Sequence, residues 1–266
     1  MASRVGIVVP AYRPNPAELA GYLEALAEQF DDARIHVELD EPLAGTLDRL
    51  AGTPATVRIS ERRRGKGAAI TAGFEHLDTP VLAFVDADGS TPAHSLATIL
   101  DPVLAGRAEL AVGSRRHPDA EVTVHQSRVR RRLGDLFAAV GRRLLPVELY
   151  DYQCGAKAID RQTWRRIRGT LRCGGFAWDV EVICRVAAAG GTIMEVPISW
   201  EDRPGSTVPP ARAGIDLGGE VLRAWYRETP LAKRGWHRFL PQVGRERTPL
   251  VERPDIVGRD PEGIDL

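Results

Sequence analysis

The sequence predicts an α/β protein built on a mostly parallel central sheet flanked by helices, with a C-terminal helical extension. Two observations carry this. From Arg4 to about Gly113, short apolar runs of strand length alternate with longer stretches of helical period, as a parallel sheet with crossover helices requires. The residues with chemical potential also fall where a strand hands over to a helix, the carboxyl edge at which doubly wound sheets take their ligands.

In chain order, Val5–Val9 reads as a buried strand. Pro16–Gln29 follows as a helix with proline in its first turn, where the missing N–H costs nothing. Strands are expected at Ile35–Leu39, Ala55–Ile59, Val81–Val85 and Leu110–Val112, with helices at Lys66–His76 and Pro92–Ala105 between them. Beyond Arg115 come a basic helix over Ser127–Val147, a polar turn at Asp151–Lys157, a Trp/Asp/Glu stretch and a strand at Ile193–Ile198. A last helical stretch, Ile215–Tyr226, precedes an end rich in Pro, Arg and Asp that has no period. The expected organisation is one domain over residues 1–210, a helical extension over 211–240 and a mobile tail over 241–266.

Composition sets limits on function. A chain of 266 residues with 43% hydrophobic and 27% charged content folds around a sizeable core. Zero net charge and the lack of any RNA- or DNA-binding motif argue against nucleic acid as a partner. Cys154, Cys173 and Cys184 are odd in number and lack paired spacing, which argues against a disulfide framework and a zinc site. No run approaches the roughly 20 apolar residues of a spanning helix, and the N-terminus carries no signal-peptide pattern. A cytoplasmic location with peripheral membrane contact is therefore expected. Lys66, Lys157 and Lys233 are the only lysines in an otherwise arginine-based cation set, so Lys66 and Lys157 are candidates for work that a compact ammonium does better than a planar fork.

Two corners concentrate the chemistry. Asp86-Ala87-Asp88 directly follows the apolar run Val81–Val85, setting two hard oxygen ligands at a strand end where Mg²⁺ or Mn²⁺ could be held against a diphosphate. A solvated Asp turn before the next helix is the competing reading. Arg62-Arg63-Arg64-Gly65-Lys66-Gly67 joins small residues and cations at a helix start, where backbone N–H groups and the helix dipole favour an anion. It has neither the Walker nor the Rossmann glycine spacing. A flexible basic surface turn is its alternative.

Taken together, Val8-Val9-Pro10-Ala11-Tyr12, Arg64-Gly65-Lys66-Gly67, Asp86-Ala87-Asp88-Gly89 and Gly113-Ser114-Arg115 resemble, in that order, the family 2 glycosyltransferases of GT-A fold. Asp151-Tyr152-Gln153-Cys154-Gly155-Ala156-Lys157, Trp178-Asp179-Val180-Glu181, Glu195-Val196-Pro197-Ile198-Ser199-Trp200 and Arg203-Pro204-Gly205-Ser206 are similar to the polyprenyl-phosphate branch, which includes dolichyl-phosphate glucose and mannose synthases. The resemblance covers residues 4 to 208. It implies inverting transfer of a hexose from a UDP- or GDP-sugar to a polyprenyl or dolichyl phosphate.

The resemblance also implies residue roles. Pro10, Ala11 and Tyr12 would line the base and ribose pocket, and Asp40 would accept from the base. Asp86, Ala87 and Asp88 would meet ribose and metal, with Lys66 and Arg203 toward the diphosphate. Arg115, and Arg131 in the Arg128–Arg132 run, would hold the acceptor phosphate, near Gln153 and Lys157. Asp88 and Asp179 are the catalytic candidates, Asp179 as a base or an orienting carboxylate; an acid-rich first helical turn is the plainer reading of Asp179 and Glu181. Cys154 reads as a small buried residue. The chain departs from the family pattern at Arg13-Pro14-Asn15, where an acidic residue is common, at Leu39-Asp40-Glu41, and at Ser206-Thr207.

A stripe of Leu133, Leu136, Phe137, Val140, Leu144 and Leu145 with arginines crowding its ends would suit an anionic membrane interface or an ordinary core contact. Trp225, Tyr226, Trp236 and Phe239 would serve a second interfacial contact or a homo-oligomer. Two other functions fit the same motifs: transfer to a soluble acceptor, and a catalytically silent nucleotide-sugar-binding partner.

Overall fold

The structure is a computed structural model, and it describes residues 3–123, 145, 147–201 and 248–257. The strands are β1 (Val5–Tyr12), β2 (Arg34–Asp40), β3 (Ala55–Ser60), β4 (Val81–Val85), β5 (Leu110–Ser114), β6 (Glu121–Val122), β7 (Ala156–Asp160), β8 (Ile193–Pro197) and β9 (Ser199–Trp200). The helices are α1 (Pro16–Gln29), α2 (Thr46–Leu50), α3 (Lys66–His76), α4 (Ala93–Leu104), α5 (Arg161–Ile167), α6 (Trp178–Ala188) and α7 (Pro254–Val257). Seven strands form one sheet in the order β3-β2-β1-β4-β7-β5-β8, and β6 pairs with β9 apart from it. All ladders are parallel except those that β7 makes with β4 and β5.

Alternation along the strands builds two cores, one on each face of the sheet. Ile7, Val9, Val37, Ala83 and Ala111 point to the face covered by α1 and α4, while Val8, Leu82, Phe84, Val112 and Ile159 point to the face covered by α3 and α6. Helix α1 buries Leu19, Ala20, Tyr22, Leu23 and Leu26, a stripe of helical spacing. It starts where the Asn15 side chain accepts from the N–H groups of Ala17 and Glu18, an N-cap of the ordinary kind.

Register creates the crevice. Strand β1 stays paired with β2 up to Tyr12 opposite Asp40, but its pairing with β4 stops at Val8 opposite Phe84. Past that point β1 has β2 on one side and no ladder on the other. This is the switch point of the topology, with β2 and β3 to one side of β1 and β4 to the other, and a sheet of this kind opens there to a ligand.

Two sequence expectations change. Asp151–Lys157, read as a polar turn, runs into the buried antiparallel strand β7, whose Lys157 is 2% exposed. Part of the expected mobile tail is packed: Leu250 and Ile256 are buried in the α3-side core, and the Leu250 N–H donates to the Leu171 carbonyl at 2.9 Å. Two buried apolar side chains, each stabilising by about 1.5–3 kcal/mol, hold this short segment in place. Of the basic helix Ser127–Val147, Leu145 and Val147 lie among the described residues, and both pack on the α3-side core. The rest of it, the Ile215–Tyr226 helix, Arg131 and Arg203 lie outside the described residues. Among the described residues no helix is long and apolar enough to cross a membrane.

Candidate active site

One cavity occupies the crevice. Pro10, Ala11 and Tyr12 from β1, Asp40 from β2, Lys66 and Ala69 from α3, with Arg63, Gly65 and Phe176, line it. The structure thus brings five of the residues singled out in the sequence, Pro10, Ala11, Tyr12, Asp40 and Lys66, to one wall. Asp86 adjoins it through its carboxylate, 2.9 Å from the Lys66 ammonium.

The rim of the cavity is held in an unusual backbone conformation. Arg13 and Glu41, at the ends of neighbouring strands, both have positive φ, 44° and 48°, in the region that non-glycine residues rarely adopt. Their side chains pair at 2.7 Å, and the other Glu41 oxygen accepts from the Arg63 N–H at 3.1 Å. The Arg63 guanidinium lies 4.3 Å from the centre of the Tyr12 ring. Arg13 and Glu41, departures from the family pattern in the sequence, are here partners that fix the rim.

Asp40 has partners other than a ligand. One oxygen accepts from the N–H of Arg64 at 2.7 Å and the other from its Nε at 2.8 Å. Arg64 also reaches Glu38 at 2.7 Å, and Glu38 meets His36, so β2 carries a buried polar row facing α3. Burial pushes the Asp40 carboxyl up, against the pull of the Arg64 guanidinium. Asp40 therefore ties the Arg62–Lys66 corner to β2, and its carboxylate is already saturated. The sequence offered no means of pairing Arg64 with residues 24 and 26 positions upstream.

Arg115 is engaged in the same way. Its guanidinium grips the Asp151 carboxylate at 2.7 and 3.0 Å and donates to the Gln153 carbonyl at 3.1 Å. Burial would raise the Asp151 carboxyl, but Arg115 beside it outweighs that and holds it below the ordinary carboxylate range. A folded-state pKa below the unfolded one contributes stability at pH values above the unfolded pKa, and loses it as pH falls through the folded value. Asp151→Asn should therefore lower stability at neutral pH and flatten the acid limb of the stability curve, measured by urea unfolding between pH 3 and pH 7. An unchanged acid limb would refute the assignment.

At the centre lies a chain of alternating charges. Asp86 contacts Lys66; Lys66 also lies 3.4 Å from Asp179; Asp179 takes Lys157 at 2.6 Å; and Lys157 donates to the Cys154 carbonyl at 2.9 Å. Both ammonium groups stand over the Phe84 ring, at 5.1 and 5.7 Å. Burial lowers the Lys66 pKa, but Asp179 and Asp86 outweigh it and leave the ammonium above its usual value. Lys157, expected at the acceptor site, is instead a buried counterion of Asp179. Glu181 is structural: its carboxylate accepts from the N–H groups of Arg172 and Cys173 at 2.8 and 2.7 Å. Cys154 is fully buried and its thiol is pushed up to about 12 by burial, so it is no nucleophile.

The carboxylates suit a divalent cation. The Asp86 carboxyl is pushed above its ordinary range by burial, with Asp88 and Asp179 adding repulsion against the attraction of Lys66. Asp88 accepts from the Ser90 N–H at 2.9 Å, and among the described residues no lysine or arginine pairs with it. Two hard carboxylates with surplus negative charge and, among the described residues, no cluster of three metal-ligating side chains match a cation that takes further positions from phosphate and water.

Gly155, quoted in the sequence only as part of the Asp151–Lys157 motif and given no role there, limits the Asp86 rotamer. Its carbonyl accepts from the Asp86 N–H at 2.8 Å, and a Cβ on it would fall on the Asp86 carboxylate. Gly155→Ala should keep the fold but turn Asp86 away, cutting turnover by about a hundredfold, as a misplaced active-site group does. Steady-state kinetics beside a circular-dichroism melt would check this, and near-normal turnover would refute it.

The fold is that of the GT-A glycosyltransferases: glucosyl-3-phosphoglycerate synthase from Mycobacterium tuberculosis, solved with phosphoglyceric acid, superposes with a TM-score of 0.65 at 15% identity, over 85% of this chain and 80% of that one. Other crystals of that enzyme hold UDP with Mn²⁺ or Mg²⁺. The chain belongs to glycosyl transferase family 2, whose profile matches residues 6–167. Among its relatives, glycosyltransferase AglD of Haloferax volcanii is 28% identical over 85% of this chain and 37% of its own length. A dolichyl-phosphate beta-glucosyltransferase of Dictyostelium discoideum is 29% identical over 63% of this chain and 52% of its own. The polyprenol monophosphomannose synthase of Mycolicibacterium smegmatis is 29% identical over 75% and 78%. The chain thus spans about half, or less, of the first two relatives.

Proposed function

We propose that the chain transfers a hexose, with inversion, from a UDP- or GDP-sugar to a polyprenyl or dolichyl phosphate. The observation that carries the donor half is Asp86, 2.9 Å from Lys66 of a crevice also lined by Pro10, Ala11 and Tyr12, with Asp88 two residues on. The acceptor half rests on the relatives named for dolichyl and polyprenyl phosphates.

The nucleotide would lie over Pro10–Tyr12, with its diphosphate toward the start of α3, where the N-terminal N–H groups and Lys66 favour anions. Mg²⁺ or Mn²⁺ held by Asp86 and Asp88 would offset the charge that develops on the leaving nucleotide. The acceptor phosphate is ionised at neutral pH, so its oxygen attacks the anomeric carbon directly as the bond to the nucleotide oxygen breaks. Asp179 then has no proton to take. Held between Lys157 and Lys66, it keeps the Lys66 ammonium aimed at the diphosphate. Arg131 and Arg203 are proposed to reach the acceptor phosphate and the donor diphosphate. The protein would work as a peripheral enzyme on the cytoplasmic face of a membrane.

Purified protein, Mn²⁺ or Mg²⁺, radiolabelled nucleotide sugars and dolichyl phosphate should yield a labelled lipid extractable into organic solvent. No labelled lipid from any common donor would overturn the reading. Label in a soluble product instead would move the acceptor to a water-soluble compound.

A further inference from the structure

The segment 248–257 lies outside the profile match at residues 6–167, yet it is built into the α3-side core. Leu250 is wholly buried and Ile256 is 2% exposed, and the short helix α7 rests on α3. Their contact is the loop 171–176, which enters helix α6. Three anchors fix that loop. Its Leu171 carbonyl accepts from Leu250, its Gly174 carbonyl accepts from the Ala68 N–H in the first turn of α3 at 3.0 Å, and its Arg172 and Cys173 N–H groups go to Glu181.

Gly174 lies where these parts meet. A Cβ there would come 2.9 Å from the Arg253 guanidinium, 3.5 Å from Ala68 and 3.7 Å from Leu250. Gly65, with φ of 99°, approaches from the other side: a Cβ on it would come 2.5 Å from the Gly174 carbonyl. The C-terminal segment, the loop and the Gly65–Lys66 corner are therefore packed in direct sequence. At the end of the loop stands Phe176, 41% exposed and, among the described residues, one of the few large apolar side chains left open to solvent, and it lines the cavity together with Tyr12 and Asp40. An aromatic face kept in the open at this crevice has the chemistry to lie against a planar base.

We propose that Phe176 is a donor-binding residue whose ring packs on the nucleotide, and that Leu250 and Arg253 are positioning residues that hold it there by clasping the loop 171–176. The proposal deepens the donor reading above and rests on it. The clasp lets a segment outside the profile match set the affinity of a cavity it does not itself line. Coupling passes through packed backbone and not through solvent.

The test is calorimetric binding of UDP and GDP, each with Mn²⁺, to the full chain. Phe176→Ala should weaken binding of the preferred nucleotide about tenfold, as loss of one aromatic–base contact does. Leu250→Ala should weaken it about threefold or more, within the range seen for substitutions along a coupled network. In the Phe176→Ala background, Leu250→Ala should have little further effect, because the contact it positions is gone. A purely structural role for Leu250 would lower the melting temperature and leave Kd unchanged, and that result overturns the clasp alone. Independent, additive losses also overturn it. Should Leu250→Ala fail to fold, Arg253→Ala, at a side chain 33% exposed, replaces it in the same cycle. Absence of binding by the unaltered chain would overturn the donor reading and the clasp together.

Discussion

Replacing Asp88 by Asn is expected to reduce kcat/KM by about a thousandfold or more, while leaving the melting temperature without metal unchanged or slightly higher. The two effects differ in sign for one reason. Asp86, Asp88 and Asp179 crowd three carboxylates around Lys66 and Lys157, and the repulsion shows in an Asp86 carboxyl pushed above its ordinary range. Removing the Asp88 charge relieves the folded protein, and the amide oxygen of Asn still accepts from the Ser90 N–H. It also removes a proposed hard ligand for the cation that would offset leaving-group charge, a term worth about 10²–10³ for a single preorganised group and more for a cation.

Asp86→Asn should match that loss of rate without lowering the melting temperature in the absence of metal, because a carboxyl pushed above its ordinary range is on balance disfavoured in its ionised form by the fold, even though Lys66 loses one of its two carboxylate partners. A third signature follows from linkage. A cation that binds only the ionised carboxylates stabilises the fold by an amount set by its excess over Kd. With Asp86 titrating above its usual value, the Mn²⁺-dependent rise in melting temperature should shrink as pH falls toward mildly acidic values, and vanish in the Asp88→Asn variant. Near-normal turnover of Asp88→Asn, or a metal-dependent shift that survives in it, would remove these carboxylates from the mechanism.

How much of this could be read from the chain depended on the range of the interactions. The helices Pro16–Gln29 and Lys66–His76 and the strand Val81–Val85 have the bounds their own periodicity gives, since capping and burial patterns are local. Strand β1 runs on to Tyr12, past Pro10, because pairing with β2 continues where pairing with β4 has stopped. No local pattern contains that. Strand β7 was hidden by Lys157, which reads as an acceptor-site residue in a polar turn until Asp179, 22 positions on, appears as its partner.

The site was legible as a set of corners but not as a set of contacts. Pro10, Ala11, Tyr12, Asp40, Lys66 and Asp86 do converge, since one sheet edge gathers every β-to-α corner. Which charged side chains remain open to a ligand is a different matter. Asp40 and Arg115 carry residue types suited to binding, yet Arg64 and Asp151 occupy them, and such pairs form between residues 24 and 36 positions apart. Phe176 and Gly155 have no chemical mark in sequence; one matters by its exposure and the other by the space a side chain would fill.

The Lys157–Asp179 pair should give the largest loss of stability, and it separates packing from chemistry. Both side chains are 2% exposed and lie 2.6 Å apart. Removing one partner of a buried pair strands the other charge, so Lys157→Met and Asp179→Asn should each cost about 3–5 kcal/mol in urea unfolding. The double variant Lys157→Met/Asp179→Asn leaves neither charge stranded, and should recover most of that loss. Its rate should not recover. Lys66 would keep Asp86 but lose the Asp179 oxygen 3.4 Å away that fixes its other side, and a positioning error of this size costs about a hundredfold in kcat. A double variant that is both stable and fully active would confine Asp179 to packing. A stable double variant that is slow in kcat, with its KM for donor little changed, makes Asp179 the group that holds Lys66 at the leaving diphosphate.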